Sequence, residues 1–184
     1  FSYKIKLARN ETESCQFYVS SKKDVQGMTV ELSDFEHEYG EGTLSAEILI
    51  HQYLEMTVFT NTLKETTAEH LEEHDYFVDP LLPLADSFEV KADYNQGFTI
   101  NVTTDKETPA GMYKAVLTVK DSEGKEVKKA NVYTYVYDVT LSDEPAMDTV
   151  FNVWDGTYSA HYPGNQQGDA LVDLYNFMLE YRIT

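Results

Sequence analysis

The sequence predicts a mainly β protein, with an antiparallel, immunoglobulin-like β-sandwich over residues 1–143 and one strand-loop-helix unit of an α/β domain over residues 144–184. Three observations carry this prediction. Apolar and polar residues alternate with a period of two through most of the first 140 residues, turn-forming residues punctuate the alternation, and helical spacing first appears at Asp169. A closed barrel of the same strands is the structural alternative.

Taken in order, Tyr3, Ile5 and Leu7 point to one side and Lys4 and Lys6 to the other. After the polar bend Arg9-Asn10-Glu11-Thr12, the residues Cys15, Phe17 and Val19 repeat the pattern, so the two segments read as an antiparallel pair. Residues 28–32 form a short strand and residues 46–58 a long one. Residues 60–83 break the rhythm: Thr66, Thr67 and Glu69 open at most one helical turn, and Pro80 and Pro83 end regular structure. A connection of that length is expected to pack against another domain. Phe98, Ile100 and Val102 face inward from the next strand. The clearest hairpin follows, with Tyr113, Ala115, Leu117 and Val119 on one face, the turn Asp121-Ser122-Glu123-Gly124-Lys125, and a return strand over residues 126–139.

Past residue 140 the pattern changes. Leu141-Ser142-Asp143-Glu144-Pro145 reads as a linker, and Thr149-Val150-Phe151-Asn152-Val153-Trp154 suits a strand buried on both faces. A loop over 155–168 leads to an amphipathic helix over 169–181, with Leu171, Leu174, Tyr175, Met178 and Leu179 at spacings of three and four. One helix cannot cover both faces of a parallel strand, so this unit is expected to start a larger α/β domain. The opening Phe1-Ser2-Tyr3-Lys4 has neither an initiator Met nor a signal-peptide pattern, so the chain is expected to begin in mid-sequence.

Composition narrows the function by exclusion. The 184 residues, 42% of them hydrophobic, suffice for one domain with a real core and part of another. Asp and Glu number 32 against 14 Lys and Arg, a formal charge of -18 that repels phosphate, so neither nucleic acid nor an anionic membrane is an expected partner. No stretch approaches the roughly 20 apolar residues that cross a bilayer. Cys15 is the single cysteine, which rules out an intrachain disulfide and leaves a secreted and a cytoplasmic location equally open.

Four segments stand in a telling order: Ala8-Arg9-Asn10-Glu11-Thr12-Glu13-Ser14-Cys15-Gln16-Phe17, Asp79-Pro80-Leu81-Leu82-Pro83, Thr108-Pro109-Ala110-Gly111-Met112-Tyr113 and Val136-Tyr137-Asp138-Val139-Thr140-Leu141. Together they resemble the N-terminal domain of glycoside hydrolase family 123 and the related bacterial set called domain of unknown function 4091, over residues 8–184. The resemblance implies that the sandwich is a non-catalytic accessory domain and that residues 144–184 are the first strand, loop and helix of a truncated (β/α)8 barrel. It implies a parent enzyme that removes β-linked N-acetylgalactosamine from glycans through the substrate's own acetamido group, although the related set need not share that substrate. The family's catalytic carboxylates lie on later barrel strands, so the resemblance carries no catalytic residue and no cofactor onto this chain, which is expected to be catalytically silent. Loops after barrel strands form the active-site face, which makes Trp154, Asp155, Tyr158 and His161 candidate substrate-binding residues by position. The implied partners are the missing barrel of the same protein and its glycan; separately, the uncovered apolar residues of the tail, Phe151, Val153, Leu174 and Met178, lead to an expectation of self-association.

Other constellations weigh less. His70-Leu71-Glu72-Glu73-His74 matches the H-x-x-E-H zinc-peptidase pattern, but that chemistry needs a sustained helix and a third ligand, so a solvated polar turn and no metal are expected. Paired acids such as Glu36 and Glu38, Glu72 and Glu73, or Asp143 and Glu144 follow from the number of acids alone. Tyr133, Tyr135 and Tyr137 share the face of a strand opposite Val132, Thr134 and Val136. The favoured reading buries this row against the barrel, and the rival is a free-standing carbohydrate- or protein-binding module. Cys15 is expected to be an inert core thiol, and Gly111 a turn residue.

Overall fold

Period-two alternation resolves into two facing sheets in the computed structural model, which describes residues 2–55, 76–145, 147–149 and 166–183. Contacts divide the chain into two units, Phe1–Leu141 and Ser142–Thr184. The strands of the first are β1 (Ser2–Arg9), β2 (Thr12–Ser20), β3 (Val25–Leu32), β4 (Phe35–His37), β5 (Thr43–Leu44), β6 (Ala46–Glu55), β7 (Tyr76–Pro83), β8 (Phe88–Val90), β9 (Asn95–Thr103), β10 (Gly111–Lys120) and β11 (Glu126–Thr140). One sheet runs β1-β11-β10-β3-β8, with β4 also on β10 and β5 on β4, and the other runs β2-β9-β6-β7. Ile5, Leu7, Tyr113, Ala115, Val132 and Val136 from the first meet Cys15, Phe98, Ile100 and Val102 from the second, all buried. Phe98 sits at the centre with no exposed surface, stacked on Phe17 at 4.9 Å and edge-on to Phe88 at 4.8 Å. The predicted faces of β11 hold: Val132, Thr134 and Val136 are buried and the intervening tyrosines are not.

The hairpin β10–β11 forms as predicted, in register from Gly111 opposite Val136 to Val119 opposite Lys128. Asp121 closes its turn, its Oδ1 accepting from the amides of Glu123 and Lys125, both at 3.0 Å. The short side chain of Asp reaches the backbone of the next residues, which is why it favours turns.

Two expectations are corrected. β1 and β2 do not pair: β1 lies parallel to β11, from Ser2 opposite Asn131 to Leu7 opposite Val136, whereas β2 runs antiparallel to β9 in the other sheet. The sandwich is therefore not wholly antiparallel. Asn10, in the left-handed region at φ 58, carries the chain across the core so that Ile5 and Leu7 face Cys15 and Phe17 instead of standing beside them. Second, residues 76–83 are not a loop but the edge strand β7. Pro80 is tolerated because it lies in a bulge, where Val78 faces Tyr53 and Leu81 faces His51, leaving Asp79 and Pro80 opposite Gln52 alone. β4, β5 and β8 have two or three residues each, too short for alternation to announce them in the sequence.

In the second unit, the predicted helix is α1 (Gln166–Glu180). Arg182, at φ 57, ends it in a Schellman turn: the amide of Ile183 donates to the Met178 carbonyl at 3.0 Å and that of Arg182 to the Leu179 carbonyl at 2.9 Å. The predicted strand over 149–154 and loop over 155–168, and the H-x-x-E-H segment, fall wholly or largely outside the described residues.

Candidate functional site

Three of the four family-like segments, far apart in sequence, meet in one hydrogen-bonded knot at the end of the sandwich where β11 finishes. Each letter of Ala8-Arg9-Asn10-Glu11 has a local reason. Glu11 folds back so that its Oε2 accepts from the Ala8 amide at 2.5 Å. Arg9 Nε donates to the Thr108 carbonyl at 2.6 Å while its Nη1 lies 2.8 Å from Asp138 Oδ1 on β11. Asn10 tolerates the left-handed turn, and its Nδ2 donates to the Leu141 carbonyl at 3.0 Å. The Leu141 amide returns a bond to the Arg9 carbonyl, also at 3.0 Å.

The first segment is also held from its other side. Buried Thr104 donates through Oγ1 to the Ala8 carbonyl at 2.8 Å and accepts from the Glu11 amide at 3.1 Å. Asp105 accepts from Thr108 Oγ1 at 2.8 Å and from the Glu107 amide at 2.9 Å, and these donors hold its carboxyl below the ordinary carboxylate range. Tyr113, with no exposed surface, donates its hydroxyl to the Pro109 carbonyl at 2.7 Å, and burial pushes its pKa up. Gly111 is more than a turn residue. It opens β10 at φ 144, and a Cβ there would lie 2.3 Å from Nε2 of His37, which packs edge-on against Tyr113 at 4.8 Å. His37 Nδ1 accepts from the Tyr39 amide at 3.1 Å, so its Nε2 is the protonated nitrogen and donates to the Ala110 carbonyl at 3.2 Å. A carboxylate engaged by backbone amides and an arginine engaged by a carbonyl are positioned to hold strands, with no nucleophile or open coordination site among them.

On the outer face of β11, Tyr133 and Tyr135 are half-buried and Tyr137 is 43% exposed. Tyr135 and Tyr137 meet edge-on at 5.1 Å. Lys4 Nζ lies 5.7 Å from the Tyr135 ring centre and Lys114 Nζ 6.0 Å from that of Tyr133, so cations sit over the aromatic faces. The result is a basic, aromatic strip on an acidic chain.

The remaining candidates divide cleanly. Burial pushes the Cys15 thiol up to about 11, which keeps it protonated and unreactive at neutral pH, as the core reading expects. His51, not singled out by the sequence, is 3% exposed, with Nε2 2.8 Å from Thr99 Oγ1 and Nδ1 without a hydrogen-bond partner among the described residues. Its ring lies against Gly97, where a Cβ would come within 2.3 Å of Nδ1, and desolvation lowers its pKa and keeps it neutral. No group of three or more His, Cys, Asp and Glu among the described residues is arranged to hold a metal. Trp154, Asp155, Tyr158, His161, His70 and His74 lie outside the described residues.

Fold and knot define a class: an N-terminal β-sandwich whose last strand is tied down where it passes the chain to a second unit. The family model of the glycoside hydrolase 123 N-terminal domain matches residues 2–121, and the chain belongs to that family. Among solved structures, a family 123 glycoside hydrolase from Clostridium perfringens, described in terms of glycolipid glycan hydrolysis, superposes with a TM-score of 0.74 at 13% identity. That likeness covers 98% of this chain and 32% of the other, so the chain spans about a third of that enzyme. The N-terminal domain of PorA (TM-score 0.38, 9% identity, 74% of this chain and 89% of that one) and the SrpA adhesin of Streptococcus sanguinis (0.39, 11%, 80% and 63%) are much weaker likenesses. No curated protein sequence matches the chain.

Proposed function

We propose that residues 1–143 are the non-catalytic accessory domain of a glycoside hydrolase acting on N-acetylhexosamine-containing glycans, and that residues 144–184 begin its (β/α)8 catalytic barrel. The observation that carries this reading is the knot. It spends Arg9, Asn10, Glu11, Thr108 and Asp138, from the segments that carry the resemblance, on fixing the end of β11 and none on an exposed reactive group. Helix α1 supports the second half: Val172, Tyr175, Phe177 and Leu179, with Tyr181 just past its end, are about half exposed, apolar surface of the kind a larger domain covers. The Tyr133–Tyr135–Tyr137 strip is the surface we assign to packing on the barrel, and Trp154, Asp155, Tyr158 and His161 would border the glycan in the loop after its first strand.

The full-length protein should release N-acetylgalactosamine from β-linked substrates. Arg9→Ala should lower its thermal midpoint, because a charged hydrogen bond worth about 1.5–3 kcal/mol is lost at Thr108. The exposed contact to Asp138 adds at most about 1 kcal/mol. At a temperature where the variant stays folded its kcat should be unchanged. A full-length protein that cleaves no β-N-acetylhexosaminide, or an Arg9→Ala variant that is folded but inactive, would contradict the proposal.

A further inference from the structure

We infer that the sandwich carries its own saccharide-binding cleft, at the end of the four-stranded sheet between β6, β7 and the β8–β9 connection. The cleft has a volume of about 470 Å³, within the range of about 300–1,000 Å³ typical of small-molecule sites. Three tyrosines from three separate elements line it: Tyr53 of β6, Tyr76 of β7 and Tyr94 of the β8–β9 connection.

The groups around these rings select the ligand class. Tyr53 is held in place by its hydroxyl, which donates to the Asn95 carbonyl at 2.5 Å. Gln96 is also fixed: its Nε2 donates to the carbonyls of His51 at 2.9 Å and Gly97 at 3.1 Å, which turns its Oε1 into the acceptor it has left to offer. Among the described residues the charges at the cleft are Glu89 and Lys91, which lie 3.5 Å apart and offset each other. Tyr76 and Tyr94 are 55% and 63% exposed, large aromatic faces open to solvent. Aromatic walls, amide edges and no net charge fit a neutral pyranose, whose apolar ring face stacks on tyrosine while its hydroxyls or acetamide meet the amides. A phosphorylated or carboxylated ligand would find no uncompensated cation among the described residues there, and an acidic molecule around it.

The cleft stands on its own geometry; that its sugar is an N-acetylhexosamine rests on the function proposed above. The experiment titrates the chain with N,N′-diacetylchitobiose, lactose and N-acetylneuraminic acid, followed by the shifts of tyrosine ring resonances. At least one neutral disaccharide should bind saturably, the acidic sugar should not, and Tyr94→Ala should weaken binding at least tenfold. Among the described residues the hydrogen bond that Tyr94 makes comes from its backbone amide, to the Lys91 carbonyl at 3.1 Å, so that variant retains the sandwich. Binding of lactose alone would uphold the cleft and count against the N-acetylhexosamine reading. No saturation by either neutral disaccharide, preference for the acidic sugar, or unchanged affinity in both Tyr94→Ala and Tyr76→Ala would overturn the inference.

Discussion

Replacing Phe98 by Ala should lower the unfolding free energy by about 3–5 kcal/mol, the cost of emptying a large aromatic site in a packed core. Phe98 has no exposed surface and bridges the sheets, stacking on Phe17 beside it and meeting Phe88 of the facing sheet edge-on. A loss of that size is a large fraction of the roughly 5–15 kcal/mol that stabilises most domains, so the variant will be close to unfolding. Phe98→Leu keeps most of the volume and should remain folded with a smaller loss, which denaturant titration can read. A loss under about 1 kcal/mol for Phe98→Ala would mean that the two sheets do not share this core.

Gly111→Ala is the second large effect. At φ 144 an L side chain pays about 1–3 kcal/mol in backbone strain. The new methyl also displaces His37, breaking its bond to the Ala110 carbonyl, worth about 0.5–1.5 kcal/mol. The two causes separate in a double-mutant cycle: in a His37→Ala background Gly111→Ala should cost less, by roughly the hydrogen-bond share. Equal costs in both backgrounds would leave strain as the sole cause and remove His37 from the account.

Much of this fold was legible because alternation is a local signal. β2, β9, β10 and β11 appear where the period-two runs stand, and the buried and outward faces of β11 follow from pleating alone. Pairing was not legible. Nothing in Ile5 or Leu7 says that their strand joins β11 and not β2, because that choice depends on which inward face meets which across the core. β7 was hidden by its prolines, which an edge position with a bulge accommodates.

The knot was half visible. Its segments stood out as motifs, but the bond from Arg9 to Thr108 spans 99 residues, so their purpose lay in the tertiary structure. The cleft gave only a compositional hint, in 14 tyrosines, since Tyr53, Tyr76 and Tyr94 converge through three different elements.

The most direct test of the central claim, that the residues of the knot are architectural, is the hydrolysis of a chromogenic β-N-acetylgalactosaminide by the purified chain. Release is expected at the buffer rate, because substrate-assisted cleavage needs a carboxylic acid and a second carboxylate placed around the scissile bond. Asp105, Glu11 and Asp138 are instead engaged by Thr108, Ala8 and Arg9. Release above that rate, abolished by Glu11→Gln or Asp138→Asn in variants that remain folded, would contradict it.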